Sequence, residues 1–215
     1  MKFKALILDF DGTIADTAES IVLAMQGALN FLGYNSVKDD EIKNLIGLPL
    51  RDMFKEVPNF KDELVENGVV EYNKRHKDLA MSTITLFPDV KETLEYLHSK
   101  GVKLGIATSR GRESLIAFLK LLEIEDLFLT LACVEDVTNH KPAPDVVNLV
   151  LKNLSVDKKD ALVVGDTIYD VGMGKNAGCD TCAVTYGNNN ISDLKKSSPE
   201  YIIDNFKVLI KIVEG

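Results

Sequence analysis

Four short apolar runs of this 215-residue chain end in residues equipped for chemistry. Ala5 to Leu8 leads into Asp9-Phe10-Asp11-Gly12-Thr13, and Val102 to Thr108 ends in Thr108-Ser109. Leu131 to Val134 precedes Lys141, and Ala161 to Gly165 leads into Asp166-Thr167-Ile168-Tyr169-Asp170. Asp9 and Asp166 make a hard-oxygen pair of the type that Mg²⁺ prefers. Asp9 is also suited to covalent capture of a phosphoryl group, because an aspartyl phosphate splits one difficult transfer into two easier ones. A bound cation keeps its carboxylate ionised for attack. Asp11, two residues on, points to the same side if the backbone is still extended, which places it to protonate a leaving oxygen and then to deprotonate water. Gly12 allows a sharp turn, the Thr108 hydroxyl can donate to a phosphate oxygen, and Lys141 can offset charge on the transferring group. Asp170 either orients metal-bound water or completes the coordination shell. Together these residues supply what phosphoryl transfer requires of a protein: position, neutralisation and a nucleophile.

Taken singly, each has an ordinary explanation. An acid after a strand is commonly a cap or turn residue, and one lysine is commonly solvated. The set is what carries the reading, because the elements beneath it place all of its members along one edge. The apolar runs, with a further one at Thr181 to Tyr186, alternate with helix-like segments, which implies βαβ units. Being continuous rather than alternating, they read as parallel strands covered on both faces, so the expected fold is a doubly wound, Rossmann-like α/β core. Ligands of such sheets bind outside the carboxyl ends of the strands, where these residues fall.

Helix boundaries are marked by Pro88, ahead of Val90, Leu94 and Leu97 on one face, and by Gly101 and Gly178 just past helix ends. Residues 16–82 show helical spacing, as in Ile21, Met25, Ala28 and Leu32, but no strand run. An ordinary βα connection has about 2–6 residues, so this insertion is expected to be a helical cap subdomain with its own small core. The expected division is a core of residues 1–15 and 83–215 and a cap of residues 16–82.

In order and spacing, Asp9-Phe10-Asp11-Gly12-Thr13, Thr108, Lys141-Pro142-Ala143-Pro144 and Gly165-Asp166-Thr167-Ile168-Tyr169-Asp170 resemble the four motifs of the haloacid dehalogenase-like hydrolase superfamily. The resemblance spans the chain. It includes the helical insertion after the first motif and Asn176-Ala177-Gly178, a run found after the fourth motif in phosphoglycolate-phosphatase-like members. It implies Mg²⁺ held by Asp9, the Asp11 main-chain carbonyl, Asp166 and the phosphate. It also implies a phosphate substrate, since dehalogenases and phosphonatases of the superfamily lack an acid at the position of Asp11. A β-phosphoglucomutase looks similar but typically has Val or Ile in place of Thr13 and His in place of Ser20. The expected function is therefore hydrolysis of a small phosphomonoester, phosphoglycolate first, with pyrophosphate or a sugar phosphate next. The competing class is a phosphate-binding regulatory module. Against it stand an intact set of acids and a large insertion that a receiver domain lacks.

Composition agrees with a globular enzyme of this kind: 46% hydrophobic residues, 27% charged and no biased tract. The net charge of −8 and the scattered basic residues lack the electrostatic footprint of a nucleic-acid binder. Met1-Lys2-Phe3-Lys4 leads into a run of only four apolar residues before Asp9, so no signal peptide or membrane span is expected, and the cytoplasm is the default location. A monomer or a homodimer is expected.

Some residues receive smaller roles. Ser109 and Arg110 follow Thr108 and are candidates for binding phosphate or a substrate anion, as is Gly12 through its backbone. Arg51, after Gly47-Leu48-Pro49-Leu50, is the cap's candidate for specificity. Asp39-Asp40-Glu41 reads as a helix cap. Cys179 and Cys182 have no second pair and read as buried thiols. His76 and His98 are expected on helix surfaces, and His140 in a loop beside Lys141.

Overall fold

A computed structural model describes the backbone of residues 1–215 and the side chains of all but Asp78, Ala80, Met81 and Ser82. The chain opens with β1 (Ala5–Leu8) and β2 (Ala15–Asp16) and then enters α1 (Ala18–Phe31), α2 (Asp39–Lys43), α3 (Leu50–Glu56) and α4 (Val65–Thr83). It returns through β3 (Thr85–Leu86) to α5 (Val90–Ser99), β4 (Lys103–Ala107), α6 (Arg112–Leu121) and β5 (Thr130–Ala132). The remainder is α7 (Asp145–Leu154), β6 (Ala161–Gly165), α8 (Ile168–Ala177), β7 (Asp180–Val184), α9 (Ile191–Lys196), β8 (Tyr201–Ile203) and α10 (Val208–Glu214).

Six strands form a parallel sheet in the order β5-β4-β1-β6-β7-β8. All of β1 is buried, because alternate side chains enter different layers: Leu6 and Leu8 pack with Leu94, Leu104 and Phe118 on one face, Ala5 and Ile7 with Val147, Val150 and Met173 on the other. The chain runs from β1 outward through β4 to β5 and then crosses back to β6 on the far side of β1. Strand order thus reverses between β1 and β6, the switch point at which open α/β sheets bind ligands. Asp9 and Asp166 stand at the carboxyl ends of those two strands, and the Asp9 N–H donates to the Val164 carbonyl (2.9 Å).

The insertion has its own apolar core. Ile21, Met25, Ala28 and Leu29 on α1 pack with Ile42, Met53 and Phe54 and with Val65 and Tyr72 on α4. The close fit depends on a glycine: a Cβ at Gly68 would lie 2.7 Å from the Phe54 ring. Glu41 accepts from the Lys38 N–H (2.7 Å), so the acidic run does cap α2.

Two strands escape the sequence reading at the ends of the insertion. β2 and β3 pair antiparallel, Ala15 with Leu86 and Asp16 with Thr85, joining the two passages between core and cap. Two-residue strands carry no periodicity to detect. β8 was also not expected; only three residues long, its run is too short to separate from a turn. The other strands fall where expected with shifted ends: Thr108 lies just past β4, Val134 starts a 3₁₀ turn, and β7 stops at Val184. Among the described residues, no helix is long and apolar enough to cross a membrane.

Candidate active site

Three loops and one helix start converge on Asp9, which is 2% exposed. Lys141, from the loop before α7, places Nζ 2.7 Å from Asp9 Oδ1 and 2.7 Å from Asp170 Oδ1. Asp170 lies in the first turn of α8, where its other oxygen accepts from the Thr167 N–H (2.9 Å) and hydroxyl (2.7 Å) in a capping box. Asp166 is fully buried. Its Oδ1 accepts from the Thr13 hydroxyl (2.9 Å), and its Oδ2 from the N–H (2.7 Å) and side-chain amide (2.8 Å) of Asn188. Gly12, at φ +82°, makes room for this arrangement, because a Cβ there would lie 2.3 Å from Asp166 Oδ2 and 2.2 Å from the Asn188 amide.

Asp9, Asp166 and Asp170 bring carboxylate oxygens within 4.8 Å of one another around one ammonium. Burial pushes the Asp9 carboxyl well above the ordinary carboxylate range; Lys141 opposes this, and Asp170 and Asp166 add to it. Asp166 is pushed up to about 7 by burial and then by Asp170. Burial acts to lower the Lys141 pKa, but Asp170 and Asp9 outweigh it and keep the ammonium charged. Three carboxyls thus crowd one ammonium, and the raised pKa values of Asp9 and Asp166 express the cost, from burial and like charge, of ionising them all without a further cation. That is the chemistry of a divalent-cation site, with carboxylates of Asp9 and Asp166 as hard donors. Asp170 meets this cluster through Lys141, with both of its oxygens engaged. What sets it apart from Asp166 is the charged donor: the Lys141 ammonium sits on its Oδ1, whereas Asp166 accepts from neutral groups.

Asp9 opens into a cavity of about 500 Å³ between core and cap. Asp11, Thr108, Ser109 and Arg110 line it from the core, and Leu48, Met53, Tyr72 and His76 from the cap. Three residues predicted to bind substrate behave differently from a simple phosphate cradle. The Ser109 hydroxyl donates to the Gly47 carbonyl (2.7 Å), tying the core to the cap loop. Arg110 donates from Nε to Asp11 Oδ2 (2.9 Å) and from Nη2 to Asp11 Oδ1, while the Thr17 hydroxyl also donates to Oδ1 (2.7 Å). Burial opposes ionisation of Asp11, but the charge and hydrogen bonds of Arg110 prevail and hold its carboxyl below the usual range. Arg51 is not brought to the site. Its side chain is 60% exposed and forks onto Glu66 (2.7 and 2.9 Å) on the outer surface of the cap, because the start of α3 turns that residue away from the cavity.

His76 is a correction in the other direction. Expected on a helix surface, it is 5% exposed, lies with its ring centroid 5.0 Å from that of Tyr72 and 6.0 Å from that of Phe118, and lines the cavity. Burial and then Arg110 push its pKa down to about 4, so it is neutral at ordinary pH. Its place on the Tyr72 face of α4, four residues on, was the available signal. His140 is a loop residue whose carbonyl accepts from the Ala143 N–H (2.8 Å). Asn176 donates to the Pro142 carbonyl (2.9 Å), fixing α8 to the Lys141 loop. Cys179 and Cys182 are buried, free thiols.

The fold and the site together define an α/β enzyme whose acid-lined switch point lies beneath an inserted helical cap. The chain belongs to the haloacid dehalogenase-like hydrolase family, whose model matches residues 6–184, and it is an enzyme of the phosphatase type. It is similar to pyrophosphatase PpaX of Oceanobacillus iheyensis, with 32% identity covering 99% of this chain and 98% of the relative. Among solved structures, a Bacteroides fragilis protein described as a haloacid dehalogenase-like hydrolase superposes with a TM-score of 0.92 at 30% identity, over 97% of this chain and 100% of that one. A Lactobacillus delbrueckii protein described as a phosphoglycolate phosphatase shares the fold with a TM-score of 0.88 at 23% identity, covering 99% of both chains.

Proposed function

We propose that the enzyme hydrolyses a small phosphomonoester through an aspartyl phosphate on Asp9, with Mg²⁺ held by Asp9, Asp166 and the Asp11 carbonyl. The observation that carries this reading is the position of Asp9, which opens into the cavity while Lys141 contacts it at 2.7 Å and two further carboxylates crowd it. When bound, Mg²⁺ supplies Lewis-acid neutralisation of the phosphate.

An Asp9 oxygen forms a bond to phosphorus as the bond from phosphorus to the leaving oxygen breaks. Asp11, ionised while Arg110 holds it, takes up a proton from water on leaving that ion pair, gives the proton to the leaving oxygen and returns to the carboxylate. It then takes a proton from a water molecule, whose oxygen attacks phosphorus; the bond from Asp9 to phosphorus breaks, inorganic phosphate leaves and the Asp9 carboxylate is restored. Thr108 presents its hydroxyl, and Lys141 its ammonium, to charge on the transferring group. The cap excludes bulk water during the first step.

Phosphoglycolate is the substrate expected from motif resemblance, and the name of the Oceanobacillus relative adds pyrophosphate. The group each releases, glycolate or phosphate, is itself an anion. The test is Asp9→Asn with 2-phosphoglycolate and Mg²⁺, for which phosphate release should fall about a thousandfold or more. Near wild-type release by that variant removes Asp9 as the nucleophile.

A further inference from the structure

Arg110 and Asp11, which both line the cavity, form a buried ion pair with side chains 7% and 12% exposed. Both Asp11 oxygens are engaged, one by Arg110 Nη2 and Thr17, the other by Arg110 Nε. An acid so held cannot also reach a leaving oxygen. The Arg110 guanidinium lies 4.8 Å from the ring centroid of Phe118 and 5.8 Å from that of Phe10, and it lines the cavity itself. Drawing Asp11 off without a replacement strands a buried guanidinium, and losing one member of such a pair is strongly unfavourable.

Resting on the phosphatase reading above, we infer that Arg110 exchanges Asp11 for a second anionic group of the substrate, so that binding a doubly anionic substrate itself frees the acid. The substrate class is then a phosphate compound whose leaving half carries its own carboxylate or phosphate near the scissile oxygen.

The cavity supports this assignment. Among the described residues the cationic side chains that line it are Arg110 and the exposed Lys77, and Arg110 is the buried one of the two, available to a leaving-group anion. Planar carboxylates and phosphates match its fork, and the apolar walls from Leu48, Met53 and Phe118 strengthen such a pair by excluding water. His76 lines the same cavity, and its Nε2 has no hydrogen-bond partner. It can serve a leaving group as a neutral partner. A substrate with an uncharged leaving group offers nothing in exchange, so Asp11 stays on Arg110 and the first step is slow. Arg110 is in this sense a specificity-determining and positioning residue that acts on the chemistry through Asp11.

The experiment compares 2-phosphoglycolate with 2-hydroxyethyl phosphate, a near-isostere without the carboxylate, under Mg²⁺. In the wild-type enzyme the anionic substrate should be favoured by about 30-fold or more in kcat/KM, with a clear share in kcat. A purely attractive arginine would act through KM. In Arg110→Gln the ratio should collapse from both sides, the anionic substrate losing activity and the neutral one gaining kcat because its acid is no longer held. Acetyl phosphate separates the two hypotheses, since acetate leaves without a proton, so its Asp9-dependent release in the first turnover needs no freed Asp11. Asp9-dependent acetyl phosphate hydrolysis with a wild-type substrate ratio near one overturns the exchange and leaves the phosphatase reading intact. No Asp9-dependent release from any of the three compounds overturns both. The wild-type ratio decides the matter even where Arg110→Gln does not fold.

Discussion

Asp170 holds Lys141 at 2.7 Å with one carboxylate oxygen while the other caps α8 through Thr167. One side chain thus ties the position of the site's ammonium to the start of a helix, and α8 is tied in turn to the Lys141 loop by Asn176 and Pro142. Asp166 contrasts with it in the charge of its donors: Thr13 and the two groups of Asn188 are neutral, so no ammonium occupies Oδ1, the oxygen that keeps a lone pair free.

This contrast predicts different phenotypes for the two acids. Asp166→Asn should raise the Mg²⁺ concentration for half-maximal activity by about tenfold or more, since a charged hard ligand is lost. Asp170→Asn should lower kcat by about 10–100-fold through a misplaced Lys141, with little change in the Mg²⁺ requirement. Mg²⁺ titrations of both variants, by activity and by direct calorimetric binding, decide between them. Equal displacement of the two binding curves would make Asp170 a ligand.

The acid cluster also fixes how Mg²⁺ and pH act together on stability. Burial raises Asp166 from its ordinary 3.8 to about 7, so between those values the metal-free folded state holds a proton that the unfolded chain has released. A group of this kind favours folding most at low pH, and its contribution declines as pH rises towards the folded pKa. A divalent cation needs the deprotonated site, so its stabilising effect runs in the opposite direction. Thermal melts of metal-free protein with and without Mg²⁺ should therefore show a larger rise in Tm at about pH 8 than at about pH 5. Equal shifts at both pH values would contradict the assignment of the cluster as the cation site.

How much of this was legible in the sequence follows from length scale. The fully buried β1 and β6 announce themselves as continuous apolar runs, and the acids that follow them need only the direction of the strand to reach one edge. The switch point then follows from order alone. Partnership between side chains is another matter. Nothing in the spacing says that Arg110 turns onto Asp11 rather than into open cavity, because that choice is made by Thr17 at the entrance to the cap and by Phe118 on α6, far apart in sequence and brought around the pair only once the chain has folded. Arg51 was misjudged for a similar reason. A helix start near the site fixes a position, whereas the direction of a long side chain depends on which face of α3 the Met53 and Phe54 pair buries. His76 was hidden because α4 buries one face in the cap core and turns part of another towards α6, so its environment belongs to neither element's own periodicity.

His76 supplies a prediction of opposite sign. Its pKa falls from 6.5 to about 4 on folding, so the folded protein keeps the ring neutral where the unfolded chain protonates it. The stabilisation is complete above the unfolded value and is lost as pH falls towards the folded one. His76→Gln removes this titration and should flatten the loss of Tm on acidification between about pH 6.5 and pH 4, whatever its Tm at neutral pH. An unchanged slope in that window would mean that His76 is not held neutral in the folded enzyme.

The last prediction concerns the cap. The Ser109 hydroxyl bonds to the Gly47 carbonyl across the mouth of the cavity, and Gly47 packs so closely on Thr167 and Tyr169 that a Cβ there would lie 3.1 Å and 3.3 Å from them. The two passages to the cap are anchored on the core side, where Tyr186 donates to the Thr13 carbonyl (2.9 Å) and the Phe87 N–H to the Ile14 carbonyl (3.1 Å). Opening of the cap then bends the β2 and β3 ladder and parts the contacts of Gly47 and of His76 with Phe118. One hydrogen bond is worth about 1 kcal/mol, so Ser109→Ala should raise the open population by about fivefold. Solution scattering should register that as a larger radius of gyration for the free variant, with both proteins becoming equally compact in Mg²⁺ and BeF₃⁻. Scattering that is the same for the free and BeF₃⁻-treated wild-type enzyme would rule out large closure and leave the Ser109 bond as a static part of the wall.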